Sequence, residues 1–306
     1  MKLDNQSFQG IVVALKANYL IVEINFDELT DISQKFKSSN TIRLLCTKRN
    51  RLSYYGFSVS VGDNVLVDSI DWTELRGVIT NVKPRKIFIS RPPVANFSDL
   101  FVVFSCNEPS FDSNQLTRFL VSAEDISKNI TIILTKSDLI PKDLLNRYSD
   151  RLQKWGYNSI SVSILTGEGI NNLKEKLKFI KLGVLCGPSG VGKTSLLNYL
   201  IPEVSLPISN LSKKLKRGRH TTRHVELFRI YDTIFLADTP GFNQPFLSLE
   251  PYKLSKLFPE LRDQLDKRNC KFRDCLHLHE PGCIVSKNWE RYPIYTKILQ
   301  EMVNLR

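Results

Sequence analysis

The chain has 306 residues, 42% apolar and 24% charged, which is enough for packed cores and argues against wholesale disorder. Its length leaves room for two or three domains, and no run of eighteen apolar residues is present, which excludes a membrane-spanning helix. The 43 Lys and Arg outweigh 31 Asp and Glu for a net charge of +12, which suits a polyanionic partner and equally a merely basic soluble protein.

The positive excess is spread along the chain. Residues 1–90 hold 12 basic and 9 acidic groups, residues 91–250 hold 20 and 15, and residues 251–306 hold 11 and 7. A nucleic acid touched by several domains suits that spread. The start, MKLDNQSFQGIVVAL, carries neither a secretory nor an Arg/Ser-rich transit pattern, so a soluble intracellular protein is expected.

In residues 1–90, apolar runs at Gly10–Leu15, Tyr19–Ile24, Thr41–Cys46, Asn64–Ser69, Arg76–Thr80 and Lys86–Ser90 read as short strands, with turns at Asn18 and at the VGDN of Val61 to Asn64. Five or six such strands predict a small closed barrel, for which the OB type is the natural candidate. The stretch Lys48–Arg51 followed by Tyr54 and Tyr55 places charge beside rings, as a loop tracking single-stranded RNA would. It reads equally as an ordinary solvated loop.

Pro92–Pro93 reads as a linker, after which strand-like runs (Leu100–Ser105, Ile130–Thr135, Ser159–Ser163, Leu182–Cys186) alternate with helical stretches at Gln115–Glu124 and Lys142–Trp155. That alternation predicts a parallel sheet covered by helices. The second of these strands ends in Thr135, Lys136, Ser137 and Asp138. An aspartate at a strand's carboxyl end can accept two hydrogen bonds from guanine N1 and N2, a pair adenine cannot supply, while the Lys136 stem covers the base. The segment SILTGEG, Ser163 to Gly169, follows as a second loop for the base.

The run LGVLC then feeds GPSGVGKTS: Gly187, Pro188, Ser189, Gly190, Val191, Gly192, Lys193, Thr194 and Ser195. This fits G-x-x-x-x-G-K-[ST] between a strand and the helix-like SLLNYLI, so backbone N–H groups face an anion. Lys193 would neutralise the β- and γ-phosphates, and Thr194 would offer its hydroxyl to Mg²⁺. A basic stretch from Ser212 to His224 contains Thr221 and Thr222, either able to close over the metal as a switch loop. After TIFLA comes DTPG, in which Asp238 would hold Mg²⁺ through water and the Gly241 N–H would meet the γ-phosphate.

From about Ser248 the chain reads as helical with short loops around Cys270-x4-Cys275-x-His277-x5-Cys283. Four soft ligands fit a closed, structural Zn²⁺ site, with His279 a rival to His277 for the fourth place. Cys46, Cys106 and Cys186 each lie in or beside an apolar run and read as buried thiols.

The order of these motifs is inverted. Base-reading TKSD at 135 precedes the phosphate loop at 187, and DTPG at 238 comes last, as in a circularly permuted GTPase. TKSD, GPSGVGKTS, GRHTT and DTPGF, followed by CKFRDCLHLHEPGC, closely resemble the RsgA (YjeQ) family of ribosome-assembly GTPases over nearly the whole chain. The resemblance implies an OB-fold over 1–91, a permuted GTPase domain over 92–247 and a zinc domain over 248–306. It implies GTP and GDP as ligands, and late maturation of the small ribosomal subunit through contact with its rRNA, with subunit-stimulated hydrolysis. It also implies zinc ligation by Cys270, Cys275, His277 and Cys283, favouring His277 over His279.

Two departures bear on the chemistry. Thr135 stands where many GTPases carry Asn, which shifts guanine selection onto Asp138. Phe242 stands where many carry a water-orienting Gln, so unaided hydrolysis should be slow, with His220 a candidate to orient water beside Lys193 and Thr194. A monomer in the cytoplasm is expected, or in the plastid stroma if plastid-encoded. The competing reading from another class is a nucleotide-gated RNA-binding module whose hydrolysis is incidental.

Overall fold

The computed structural model describes residues 7–16, 18–25, 41–49, 58–90, 92–127, 129–202, 225–231, 234–238 and 249–304. Strands β1 (Phe8–Lys16), β2 (Tyr19–Asn25), β3 (Thr41–Lys48), β4 (Asn64–Asp71) and β5 (Arg76–Val82) pair in the order β1-β2-β3-β5-β4. β4 returns to β1 through Phe8↔Val67 and Ile11↔Asn64, which closes the barrel and leaves no edge among the five. Alternation sets its inside: Ile42, Leu44 and Cys46 of β3 meet Val65 and Val67 of β4 and Ile79 of β5.

The sixth expected strand does not join the barrel. β6 (Phe88–Ser90) pairs with β7 (Pro93–Ala95) as a separate hairpin, and Pro92–Pro93 lies at its turn instead of forming a free linker. Ile89 and Val94 pack into the core of the central sheet, which explains the diversion. The barrel grips this hairpin at its VGDN turn. Ala95 N–H donates to the Val61 carbonyl at 2.8 Å, and Gly62 comes so close that a Cβ there would lie 2.1 Å from the Ala95 carbonyl oxygen. With φ at +85°, position 62 needs glycine on both counts.

The central sheet contains β8 (Asp99–Ser105), β9 (Ile130–Thr135), β10 (Asn158–Val162), β11 (Leu182–Cys186), β12 (Glu226–Tyr231) and β13 (Ile234–Asp238), in the order β10-β9-β8-β11-β13-β12. All are parallel except β12, which runs antiparallel to β13. Helices cover both faces, as the continuous burial of β8 demands. Leu100, Val102 and Phe104 meet α1 (Ser113–Ile126) and α2 (Lys142–Lys154) through Leu116, Phe119, Leu120 and Leu152. Phe101 and Val103 face α3 (Ile170–Leu177) and α4 (Lys193–Leu200) through Ile170, Leu173, Leu196 and Leu197. Asp112 caps α1 by accepting the Asn114 and Gln115 N–H groups.

The C-terminal unit has a 3₁₀ segment at Pro251–Leu257, then α5 (Pro259–Leu265) and α6 (Tyr292–Asn304). Leu254, Phe258, Leu261, Tyr295 and Ile298 form a core that takes in Val121 of α1. Polar ties reinforce the contact: Arg118 forks onto Glu301, and Arg262 pairs with the buried Glu124. Arg291 is wholly buried, doubly bonded to Glu260, with its guanidinium against the rings of Trp155, Tyr157 and Phe258.

Candidate functional site

Register brings the carboxyl ends of the parallel strands to one rim. Ser105 lies beside Thr135 and Thr135 beside Val162, while Cys186 pairs with Val102 and Asp238 with Leu185. The phosphate loop leaves β11 there and opens α4 at Gly192. Gly187, Gly190 and Gly192 have φ of 142°, 81° and 94°. A Cβ on Gly187 would sit 2.1 Å from the Val103 carbonyl oxygen, so only glycine lets the loop cross β8 this closely. Lys193 turns back into the loop, its Nζ donating to the Gly187 and Pro188 carbonyls at 2.7 Å each. Burial lowers the Lys193 pKa, opposed by the carboxylate of Asp238.

TKSD meets this loop directly. The buried Thr135 hydroxyl donates to the Val191 carbonyl of the phosphate loop, fastening the end of β9 to a segment 56 residues further on. Lys136 is left-handed at φ 54°, and its Nζ bonds the Glu108 carbonyl in the loop after β8. Ser137 is buried, whereas Asp138 is exposed at the rim, on the 3₁₀ turn Ser137–Leu139. Burial, aided by the charge of Asp138, pushes the Cys106 thiol up to about 12, so this cysteine stays a neutral support under the turn. SILTGEG closes on itself beside them: Gly167 N–H donates to the Ser163 carbonyl and Ser163 N–H to that of Glu168, both at 2.9 Å. That loop holds Leu165 83% exposed on the rim.

Thus Thr135, Lys136, Ser137, Asp138, residues 187–195 and Asp238 all lie on one rim. Thr221, Thr222, His220, Gly241 and Phe242 lie outside the described residues, as do Asn50, Arg51, Tyr54 and Tyr55 of the barrel loop.

A second cluster forms in the C-terminal unit. The ligand atoms of Cys270, Cys275, His277 and Cys283 all lie within 4.8 Å of one another and could hold a metal ion. His277 presents Nδ1, 3.6 Å from the sulfurs of both Cys270 and Cys283, whereas His279 Nδ1 lies 3.2 Å from the Lys287 ammonium outside the cluster. Sequence reasoning missed what shapes this knuckle. The Glu280 carboxylate accepts the Leu276 and Leu278 N–H groups at 2.8 and 2.9 Å. Tyr295 and Tyr292 of α6 donate to the Leu276 and His277 carbonyls at 2.7 and 3.1 Å. Without a cation, burial pushes the Cys275 thiol up to about 12, with Cys283 and Cys270 adding to the effect. Three thiols and an imidazole nitrogen gathered this closely are a donor set that suits a soft divalent ion, which would stabilise the thiolates.

A GPSGVGKTS loop hydrogen-bonded to the TKSD strand that precedes it in the chain, on a sheet whose first strand in sequence is an interior one, is the arrangement of a circularly permuted GTPase. The RsgA GTPase family model matches residues 82–248. Curated relatives named small ribosomal subunit biogenesis GTPase RsgA include one from Prochlorococcus marinus, 57% identical over 99% of both chains. Another, from Synechococcus sp. (strain CC9311), is 50% identical over 99% of this chain and 97% of its own. The crystal structure of YjeQ from Thermotoga maritima superposes with a TM-score of 0.78 at 29% identity, covering 98% of this chain and 100% of its own. That of YloQ, a circularly permuted GTPase, gives 0.75 at 27%, covering 100% and 98%. The chain belongs to the RsgA GTPase family.

Proposed function

We propose that the protein hydrolyses GTP while maturing the small ribosomal subunit, reading nucleotide state at the rim of the central sheet and gripping rRNA with the units on either side. One observation supports the nucleotide reading: the Thr135 hydroxyl on the Val191 carbonyl ties the TKSD segment to the GPSGVGKTS loop despite their inverted order. Asp138 is then the guanine acceptor, with Lys136 over the base and the N–H groups of residues 187–195 around the phosphates. Lys193, already at the loop, exchanges its two carbonyl partners for phosphate oxygens. Mg²⁺, held by Thr194 and Asp238 with the phosphates, would neutralise developing charge. Thr222 and Gly241 would close on the γ-phosphate, and His220 would orient water where Phe242 cannot.

We read 1–91 as the RNA-binding barrel, 92–247 as the GTPase unit and 248–306 as a zinc unit. Tetrahedral zinc with ordinary bond lengths separates a sulfur from a nitrogen ligand by about 3.6 Å. The two Cys–His separations match that figure. Such a site has no open position, so the ion would be structural. The protein would act as a cytoplasmic monomer.

GTP turnover measured with purified small subunits, large subunits and neither tests the assignment. Small subunits alone should accelerate turnover, and a His220→Ala chain should lose most of the gain. Equal rates in all three conditions would instead favour a nucleotide-gated RNA-binding module.

A further inference from the structure

The barrel joins the central sheet where β1 meets β12, and the backbone contributes little to the joint: one register pair, Ala14 with Glu226, links the two strands among the described residues. Side chains do most of the fastening. Glu23 of β2 is only 4% exposed, and its carboxylate is shared between two domains. One oxygen accepts the Nε of Arg43 on the neighbouring barrel strand at 2.9 Å. The other accepts Nε of Arg229 on β12 at 2.8 Å and also its Nη2. Arg43 extends a second contact to Glu226 at 3.9 Å. Two barrel residues and two sheet residues therefore alternate in sign: Glu226, Arg43, Glu23, Arg229.

The position of this chain of charges is what gives it consequence. Glu226 stands directly opposite Asp238 in the β12–β13 ladder. The Arg229 guanidinium lies 4.8 Å from the centre of the Phe235 ring on β13, the strand that ends at Asp238. Because the two strands are antiparallel, the chain enters this hairpin after residue 224 and leaves it at Asp238 at the same end, the end where Glu226 stands. A buried carboxylate is costly unless its partners stay in place, so the barrel and this hairpin cannot shift against each other without exposing or unpairing Glu23. A four-charge joint of this kind favours one register over its neighbours more than it adds stability.

We propose that Glu23 and Arg229 are positioning residues for stimulated hydrolysis: they transmit the placement of the barrel to the β12–β13 hairpin and thereby to Asp238. The proposal rests on the small-subunit reading for one of its two readouts. Glu23→Gln and Arg229→Met should leave basal turnover and GDP affinity within about twofold, because Arg229 stands opposite Phe235, three residues before Asp238, and Glu23 bonds it there. Stimulation by small subunits should fall about tenfold in both, with Arg229→Lys recovering part of it. The second readout needs no ribosome. Amide exchange of β2 and β3 should differ between GDP and a non-hydrolysable GTP analogue in the unaltered protein, and the difference should vanish in both variants.

If the unaltered protein is not stimulated, the small-subunit reading fails and the exchange experiment alone decides. The same exchange in β2 and β3 with either nucleotide would overturn the coupling. So would full stimulation in both variants, and so would a parallel fall of basal and stimulated rates, which marks a merely structural tie.

Discussion

On the proposed reading, Asp138 is the residue that would select the purine at the rim. Its side chain is exposed at the end of β9, while the rest of its turn is fixed by the Thr135 bond to the phosphate loop and the Lys136 bond to Glu108. Asp138→Asn keeps the shape but replaces one acceptor with a donor, and calorimetry should show the preference for GDP over ADP falling by about a hundredfold or more. Lys193 provides a test by pH. Burial lowers its pKa, and phosphates favour the ammonium form, so nucleotide binding raises that pKa and takes up a proton. GDP affinity should therefore be constant at lower pH and decline as pH rises through the lowered pKa of the free protein. Binding heats measured in two buffers of different ionisation enthalpy will reveal the uptake; identical heats across the alkaline range would contradict it. The phosphate loop and TKSD were legible because each is local, with its meaning packed into a few consecutive residues. The role of Thr135 was not: its partner lies 56 residues away, and its hydroxyl bonds a carbonyl, which leaves no trace in side-chain pattern.

Among elements, the cysteine knuckle is the most self-contained. The Glu280 carboxylate braces it, and Tyr292 and Tyr295 fasten it to α6, so the cluster orders a stretch, 266–291, that has no helix or strand of its own. His277→Ala should lower bound metal well below one ion per chain and reduce the thermal midpoint, while His279→Ala should leave the stoichiometry unchanged. Elemental analysis of the purified variants checks both. Spacing alone left the two histidines level, because residues two apart can face the same way; the left-handed backbone at His277, φ 60°, turns its ring inward. The barrel strands were also readable from alternation. Lys86–Ser90 reads as strand, but a short apolar run carries no mark of which neighbour it will pair with, and here tertiary packing against the central sheet chose β7.

At the scale of the whole molecule, each outer unit is bolted to the centre by charges drawn out of water. Arg291 is the starkest case, with no exposure, three rings around it and Glu260 as its counter-ion. Glu260→Ala would strand that cation and should cost about 3–5 kcal/mol, read as an earlier urea transition, whereas replacing both partners by Met should cost much less. Equal losses in the single and double variants would deny the ion pair this role. Such joints escape sequence reading: Glu23 and Arg229 are 206 residues apart, and an isolated arginine in a charged chain looks like surface.

The inverted order of the central sheet has a consequence for biosynthesis. β8, first of its strands to be made, is an interior strand of the sheet, and β9 and β10 add to one side of it before β11 exists. A growing polypeptide halted near residue 181 already holds the TKSD segment proposed to read the base, yet lacks the GPSGVGKTS loop and Asp238 proposed to hold the phosphates. On that reading, help from a bound nucleotide waits at least until the loop after Cys186 has been made, and until then the first half of this unit rests on its own strand pairing and apolar packing.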